Sequence, residues 1–226
     1  KMRPTWAEVD LNAIRHNITA IKNLNKDAMM MAVVKADAYG HGAVRVAHAT
    51  LEAGAQWLGV AIYEEGKQLR DAGIAVPICV IGAMTPEDCA QSVRDDISPS
   101  LCLPAQVLAC QEAASACGKK AKVHIKIETG FNRLGVRPEE LPALLDVIAQ
   151  CDMVEIEGVF THFAGADMAD DSFALAQYAQ FEKAHAAISA RGHNPIVHVS
   201  NSAAALRYPD FANQMVRCGI IIYGCY

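Results

Sequence analysis

The sequence holds 8 Cys and 8 His in 226 residues, yet no two cysteines stand at Cys-x-x-Cys spacing and no histidines at His-x-x-x-His. Metal centres show such close ligand pairs, and disulfide scaffolds are short chains dense in cysteine. A metal site is therefore not expected. The cysteines at 79, 89, 102, 110, 117, 151, 218 and 225 read as reduced thiols of a cytoplasmic protein. Positive charge is not in excess either: 20 Lys+Arg against 25 Asp+Glu leave a net charge of -5. No basic field is present to attract nucleic acid or an anionic membrane. Long apolar runs are also missing, since the longest, 28–34 and 219–223, are strand-sized and far short of a membrane span. Met2 is followed by charge and proline, not by the apolar segment of a signal peptide. Nor does a repeat, a low-complexity stretch or an internal linker divide the chain, so 1–226 reads as one domain.

What is present is a globular balance, 52% hydrophobic and 20% charged. From residue 28 onward, short β-branched runs alternate with helical patterns. Strands are expected at 29–34, 57–61, 78–81, 97–102, 122–127, 155–161, 196–199 and 215–222. Between them, helical spacing groups Leu141, Leu144, Leu145 and Ile148 on one face, and Leu175, Tyr178, Phe181, His185 and Ile188 on another. Thr85-Pro86-Glu87-Asp88 has the chemistry of a helix start, and Asp10 can cap a helix bearing Leu11, Ile14, Ile18 and Ile21. Eight strands with intervening helices predict a parallel (β/α)8 barrel of TIM type; the same alternation permits a doubly wound open sheet. Residues 5–10 read as an additional N-terminal strand outside the eight.

Reacting groups of such a barrel gather at the carboxyl ends of its strands. Those positions hold Lys35, Asp37 and Tyr39; Lys126, Glu128 and Arg133; His162; Asn201 and Ser202; and Arg217, Gly219 and Ile220. Lys35 ends the apolar run Ala32-Val33-Val34. A lysine desolvated there loses proton affinity, and a neutral amine attacks aldehydes; the plain alternative is a side chain reaching out to solvent. Ser202 and the amides near Gly219 and Ile220 follow strands seven and eight, where barrels bind phosphate, although Asn201 or Ser202 also suits a helix cap. Arg217 lies in an apolar strand and needs a partner, either an internal carboxylate or a ligand.

These residues carry a resemblance. Val33-Val34-Lys35-Ala36-Asp37-Ala38-Tyr39-Gly40-His41-Gly42 resembles the pyridoxal-phosphate attachment motif of alanine racemases. Thr5-Trp6-Ala7-Glu8-Val9-Asp10-Leu11 resembles that family's opening, and Lys126-Ile127-Glu128-Thr129-Gly130-Phe131-Asn132-Arg133-Leu134-Gly135 its central motif. Thr161-His162-Phe163-Ala164, Asn201-Ser202-Ala203-Ala204 and Val216-Arg217-Cys218-Gly219-Ile220 follow in the family's order. Phe131, Glu128 and Cys218 stand where Met, Asp and Pro are common; such changes are expected to adjust packing.

The resemblance implies that Lys35 carries pyridoxal 5'-phosphate as a Schiff base and, once displaced by substrate, acts as the base on the D-face of the α-carbon. It implies a phosphate grip from Tyr39, Ser202, Gly219 and Ile220, with Asn201 beside them. His162 would lie against the pyridine ring, and Arg133 would bond the phenolic oxygen near the substrate carboxylate, completing a catalytic set of Lys35, Arg133 and His162. Lys126 matches a position carbamylated in many members. Arg217 would face the pyridine nitrogen; a guanidinium only donates, so that nitrogen stays unprotonated and side reactions are restrained.

The implied activity is an isomerase's, interconverting L- and D-alanine for cell-wall synthesis, in a cytoplasmic homodimer. In the family a β-rich C-terminal domain follows and supplies the second base, a tyrosine; no tyrosine here matches that motif. On this reading, the present chain binds pyridoxal phosphate but racemises poorly, exchanging the α-proton of D-alanine more readily than it inverts L-alanine. The alternatives are a serine-selective racemase, a single-domain barrel that carries pyridoxal phosphate without turnover, and a Schiff-base aldolase-type barrel with no cofactor.

Overall fold

A computed structural model describes residues 5–225. Its frame is eight parallel strands: β1 (Met29–Val33), β2 (Trp57–Val60), β3 (Ile78–Val80), β4 (Ser98–Leu101), β5 (Ala121–Lys126), β6 (Val154–Phe160), β7 (Ile196–Val197) and β8 (Met215–Cys218). The order β7-β6-β5-β4-β3-β2-β1-β8 is sequential apart from β8, which pairs with β1. The remaining seam is bridged by the Arg217 amide, which donates to the Ser200 carbonyl at 2.9 Å just beyond β7. The sheet thus closes on itself as the expected (β/α)8 barrel, and not as the open sheet.

Parallel strands covered on both faces read as near-continuous apolar runs, and β1, Met-Met-Met-Ala-Val, is one. Alternation then sorts side chains between barrel interior and helical layer. Met30, Ala32 and Val34 join the large core shared with the helices, whereas Met31, Trp57, Cys79 and Met215 form a separate interior cluster. Above this plug the interior turns polar, with His124 and His198 in contact at 2.7 Å. Gly158 admits the first imidazole, because a Cβ there would lie 2.3 Å from His124 Nδ1.

The helix signals hold. Asp10 accepts from the Asn12 and Ala13 amides and caps Leu11–Leu24, which buries Ile14, Ile18 and Ile21. Thr85 and Asp88 form a reciprocal capping box on Pro86–Arg94. Three expectations are corrected. The last strand stops at Cys218; Gly219 breaks the extended run, and Ile220–Tyr223 coils into a 3-10 turn. Residues 5–10 join no ladder and are largely exposed, because nothing in the described chain offers them a sheet edge. Helix Ser172–Ser189 buries Ala174, Gln177, Phe181, Ala184 and Ile188 while Leu175 is exposed, so its inner face is rotated from the one the large residues suggested. Small alanines bring that helix close to the barrel, and Gln177 bonds the Ala164 amide and the His162 carbonyl.

Candidate functional site

A cavity of about 560 Å³ opens at the carboxyl ends of the strands. Of the twelve residues expected at the strand ends, ten line it: Lys35, Tyr39, Lys126, Arg133, His162, Asn201, Ser202, Arg217, Gly219 and Ile220; Asp37 and Glu128 lie outside the lining and bond backbone amides of their own loops instead.

Lys35 leaves β1 and begins an unusual turn. Ala36, Asp37, Ala38 and Tyr39 take φ of 50°, 52°, 55° and 53° with ψ from 36° to 52°, a full left-handed turn without glycine. Left-handed geometry costs an L-residue about 1–2 kcal/mol, so four in succession hold roughly 4–8 kcal/mol. The turn swings Tyr39 back over Lys35, whose Nζ lies 5.7 Å from the ring centroid. The Tyr223 ring packs against Tyr39, centroids 4.9 Å apart, and its hydroxyl donates to the Val33 carbonyl at 3.0 Å. Burial raises both phenol pKa values, so both stay protonated donors at neutral pH.

The Tyr39 hydroxyl sits so close to Gly219 that a Cβ there would be 2.6 Å away. The Gly219 amide donates to Ser202 Oγ at 3.0 Å. Asn201 caps Ser202–Arg207 through the Ala204 amide and donates to the Phe163 carbonyl, so the capping role foreseen for this pair falls to Asn201. Ser202 is left facing the cavity beside the Tyr39 hydroxyl and the Gly219 backbone, while Ile220 forms an exposed rim.

Arg217 forms the floor, buried over the Phe160 ring at 5.1 Å. Its guanidinium donates to the Thr161 carbonyl at 2.7 Å, to Val199 at 3.3 Å and to the His198 carbonyl, and meets His198 Nδ1 at 3.3 Å. Backbone carbonyls, and no carboxylate among the described residues, replace the internal ion pair. Burial lowers its pKa to about 10, which leaves it charged at neutral pH. His198 is held neutral, well below its usual value, by burial and then by His124 and Arg217.

Above the floor, Lys126 donates to the Ile81 carbonyl at 3.3 Å. Burial, then Arg217 and Arg133, push its pKa down to about 8. His162 packs edge-on against Phe131 at 5.2 Å, and burial together with Arg217, Arg133, Lys126 and Lys35 drives its pKa to about 3. It is a neutral imidazole at every ordinary pH. Arg133 is exposed, 4.1 Å above the Phe131 ring. Its loop is organised by Glu128, which accepts from the Gly130 amide at 2.5 Å and the Arg133 amide at 3.3 Å. Burial opposes ionisation of Glu128, but four backbone amides outweigh it and hold the carboxyl below its usual range. The site is a concave, strongly cationic chamber with one half-exposed lysine at its wall.

The family model for the alanine racemase N-terminal domain matches residues 9–226. The chain belongs to that family. Among curated relatives it is 45% identical over 224 residues to an alanine racemase of Desulfovibrio desulfuricans, covering 98% of this chain and 60% of the relative. An alanine racemase of Symbiobacterium thermophilum is 44% identical over 224 residues, 99% of this chain and 59% of that protein. Among solved structures, the Clostridium difficile alanine racemase in complex with cycloserine superposes with a TM-score of 0.94 at 36% identity, over 100% of this chain and 63% of that one. The Bacillus anthracis enzyme with bound L-Ala-P gives 0.94 at 38% identity, over 100% and 59%. The chain thus spans about 60% of the length of the curated relatives it matches.

Three contributors to this family barrel were missed in the sequence. His198 and His124 sit in runs that read as apolar strand; the signal was their place in the inward-pointing alternation. Glu65, whose carboxylate bonds the Ala36 amide, reads in sequence as an ordinary acidic residue in a helix's first turn.

Proposed function

We propose that this chain is the pyridoxal-phosphate-binding barrel of an alanine racemase, an isomerase that interconverts L- and D-alanine. The carrying observation is the convergence, in one cavity, of Lys35 with a corner lined by Tyr39, Ser202 and Gly219 and a buried guanidinium floor. The residues fit the cofactor. Gly219 leaves the space beside the Tyr39 hydroxyl that a side chain would fill, and Tyr39, Ser202 and the local backbone offer neutral donors to a dianion. Arg217 engages NH1 and NH2 with carbonyls, while its Nε makes no hydrogen bond among the described residues and is the donor left for a ring nitrogen.

When bound, pyridoxal phosphate supplies the electron-withdrawing ring that acidifies the amino acid's α-hydrogen. Lys35 provides the amine that holds the aldehyde and, released, takes the proton from Cα on its own face. Arg133, with Lys126 behind it, supplies the positive field for a substrate carboxylate. His162 is neutral, so it packs and accepts rather than donating a proton. Arg217 cannot accept a proton, which holds the atom it faces unprotonated. Lys126, at a pKa near 8, is about a tenth neutral at pH 7. That fraction is the form that carbon dioxide would carbamylate, which supports its assignment as the carbamylated position. The eight free thiols suit the reducing cytoplasm. No helix among the described residues is long and apolar enough to cross a membrane. D-alanine for cell-wall synthesis and a homodimeric assembly complete the reading, on the strength of the family alone.

The test is an absorbance spectrum of the chain titrated with pyridoxal phosphate. A visible band is expected, with borohydride then fixing the cofactor on Lys35 as read by peptide mass spectrometry. Loss of both in Lys35→Ala supports the reading. Label on another lysine, or an unchanged spectrum in the variant, refutes it.

A further inference from the structure

We propose that Glu65 is a positioning residue, the clamp that holds the left-handed turn after Lys35 and so keeps the lysine and Tyr39 in register with the cavity. The inference rests on the reading of Lys35 given above, but its structural half stands without any ligand.

The turn needs an external restraint. Its residues are Ala-Asp-Ala-Tyr, none of which favours left-handed geometry as glycine does. At its entrance, the Ala36 amide donates to Glu65 Oε1 at 2.7 Å. The second oxygen of the same carboxylate accepts from the Ala61 amide, also at 2.7 Å. Ala36 follows β1 and Ala61 follows β2, so one side chain bridges the ends of two neighbouring strands where Lys35 leaves the sheet. At the exit, Asp37 Oδ1 accepts from the Ala43 amide at 2.7 Å and the Asp37 carbonyl from Gly42 at 2.9 Å. Carboxylates therefore grip both ends, and the entrance is gripped from another element.

Glu65 is also the third residue of helix Tyr63–Asp71, where an acid commonly caps the helix start. A cap would bond the Ile62 amide at the helix start; Glu65 instead accepts from Ala61, one residue earlier, and from Ala36, 29 residues away. Its part in the helix and its part in the turn separate experimentally.

Amide hydrogen exchange is measured on the ligand-free chain, Glu65→Gln and Glu64→Gln, followed by the rate of Lys35 labelling with pyridoxal phosphate and borohydride. A glutamine accepts one amide and turns a donor toward the other. Exchange over residues 36–39 should accelerate on the order of ten- to a hundredfold in Glu65→Gln, as expected for losing a charge-assisted bond. Exchange in β5 should stay unchanged, and Lys35 labelling should slow by about tenfold or more. Glu64→Gln, which changes the helix charge but touches neither amide, should match the parent in both. Unchanged exchange over 36–39 overturns the proposal, as does an equal acceleration in β5, which would make Glu65 a support of the whole barrel. If Glu65→Gln does not fold, Glu65→Asp, shorter by one methylene, is judged by the same comparison. A parent chain that never labels on Lys35 refutes the proposed function, while the exchange data still decide the clamp.

Discussion

Replacing Lys126 with methionine should stabilise the chain at neutral pH. The amine is buried, has one hydrogen bond to the Ile81 carbonyl at 3.3 Å, and faces Arg217 and Arg133. Its pKa near 8 compares with an ordinary value of 10.5, a drop of about 2.5 units. At about 1.36 kcal/mol per unit, the charged form is disfavoured in the folded state by roughly 3 kcal/mol. The lost hydrogen bond returns about 1 kcal/mol, leaving an expected gain of roughly 1–3 kcal/mol for Lys126→Met. The sign follows from linkage. Between pH 8 and 10.5 the unfolded chain holds a proton that the folded chain has released, so wild-type stability rises with pH there. The penalty is therefore full below pH 8 and gone above 10.5, and the gain from methionine must shrink across that window. Urea unfolding in carbonate-free buffer at pH 7, 9 and 10.5 measures it. A destabilised Lys126→Met at pH 7, or a difference that does not change with pH, would refute the argument.

Two further outcomes follow from the same environment and from the barrel interior. His162, held neutral down to about pH 3, makes the unfolded state the better proton binder between about 3 and 6.5; stability should fall with acid over that range, and His162→Gln should flatten the limb in urea titrations. Gly158→Ala puts a Cβ against His124 and should cost about 1–3 kcal/mol by overpacking; adding His124→Ala should recover part of it, and strictly additive losses would show that the two do not collide.

The barrel was legible because its strands obey alternation and burial closely: β1 to β6 lie within a residue or two of the expected spans. The last strand was overextended because Ile220-Ile221-Ile222 has strand composition, while Gly219, a single residue, redirects it. The chamber's lining was legible through the rule that groups collect at strand ends, sharpened by the family's ordered motifs. Its wiring was not. Ala36–Tyr39 has helix-forming letters and no glycine, so nothing local announces a left-handed turn. The bonds that enforce it come from Glu65, and those that hold Arg217 come from backbone carbonyls at 161, 198 and 199, which carry no letter at all.

The left-handed turn also sets an order of assembly. Ala36–Tyr39 cannot keep its geometry as an isolated segment, since each residue prefers the opposite hand. Its entrance is fixed only when the ends of β1 and β2 and the start of helix Tyr63–Asp71 have come together around one carboxylate. The lysine's surroundings therefore mature only after those three elements have docked, and a chain in which they have not would carry Lys35 without the chemistry its position confers.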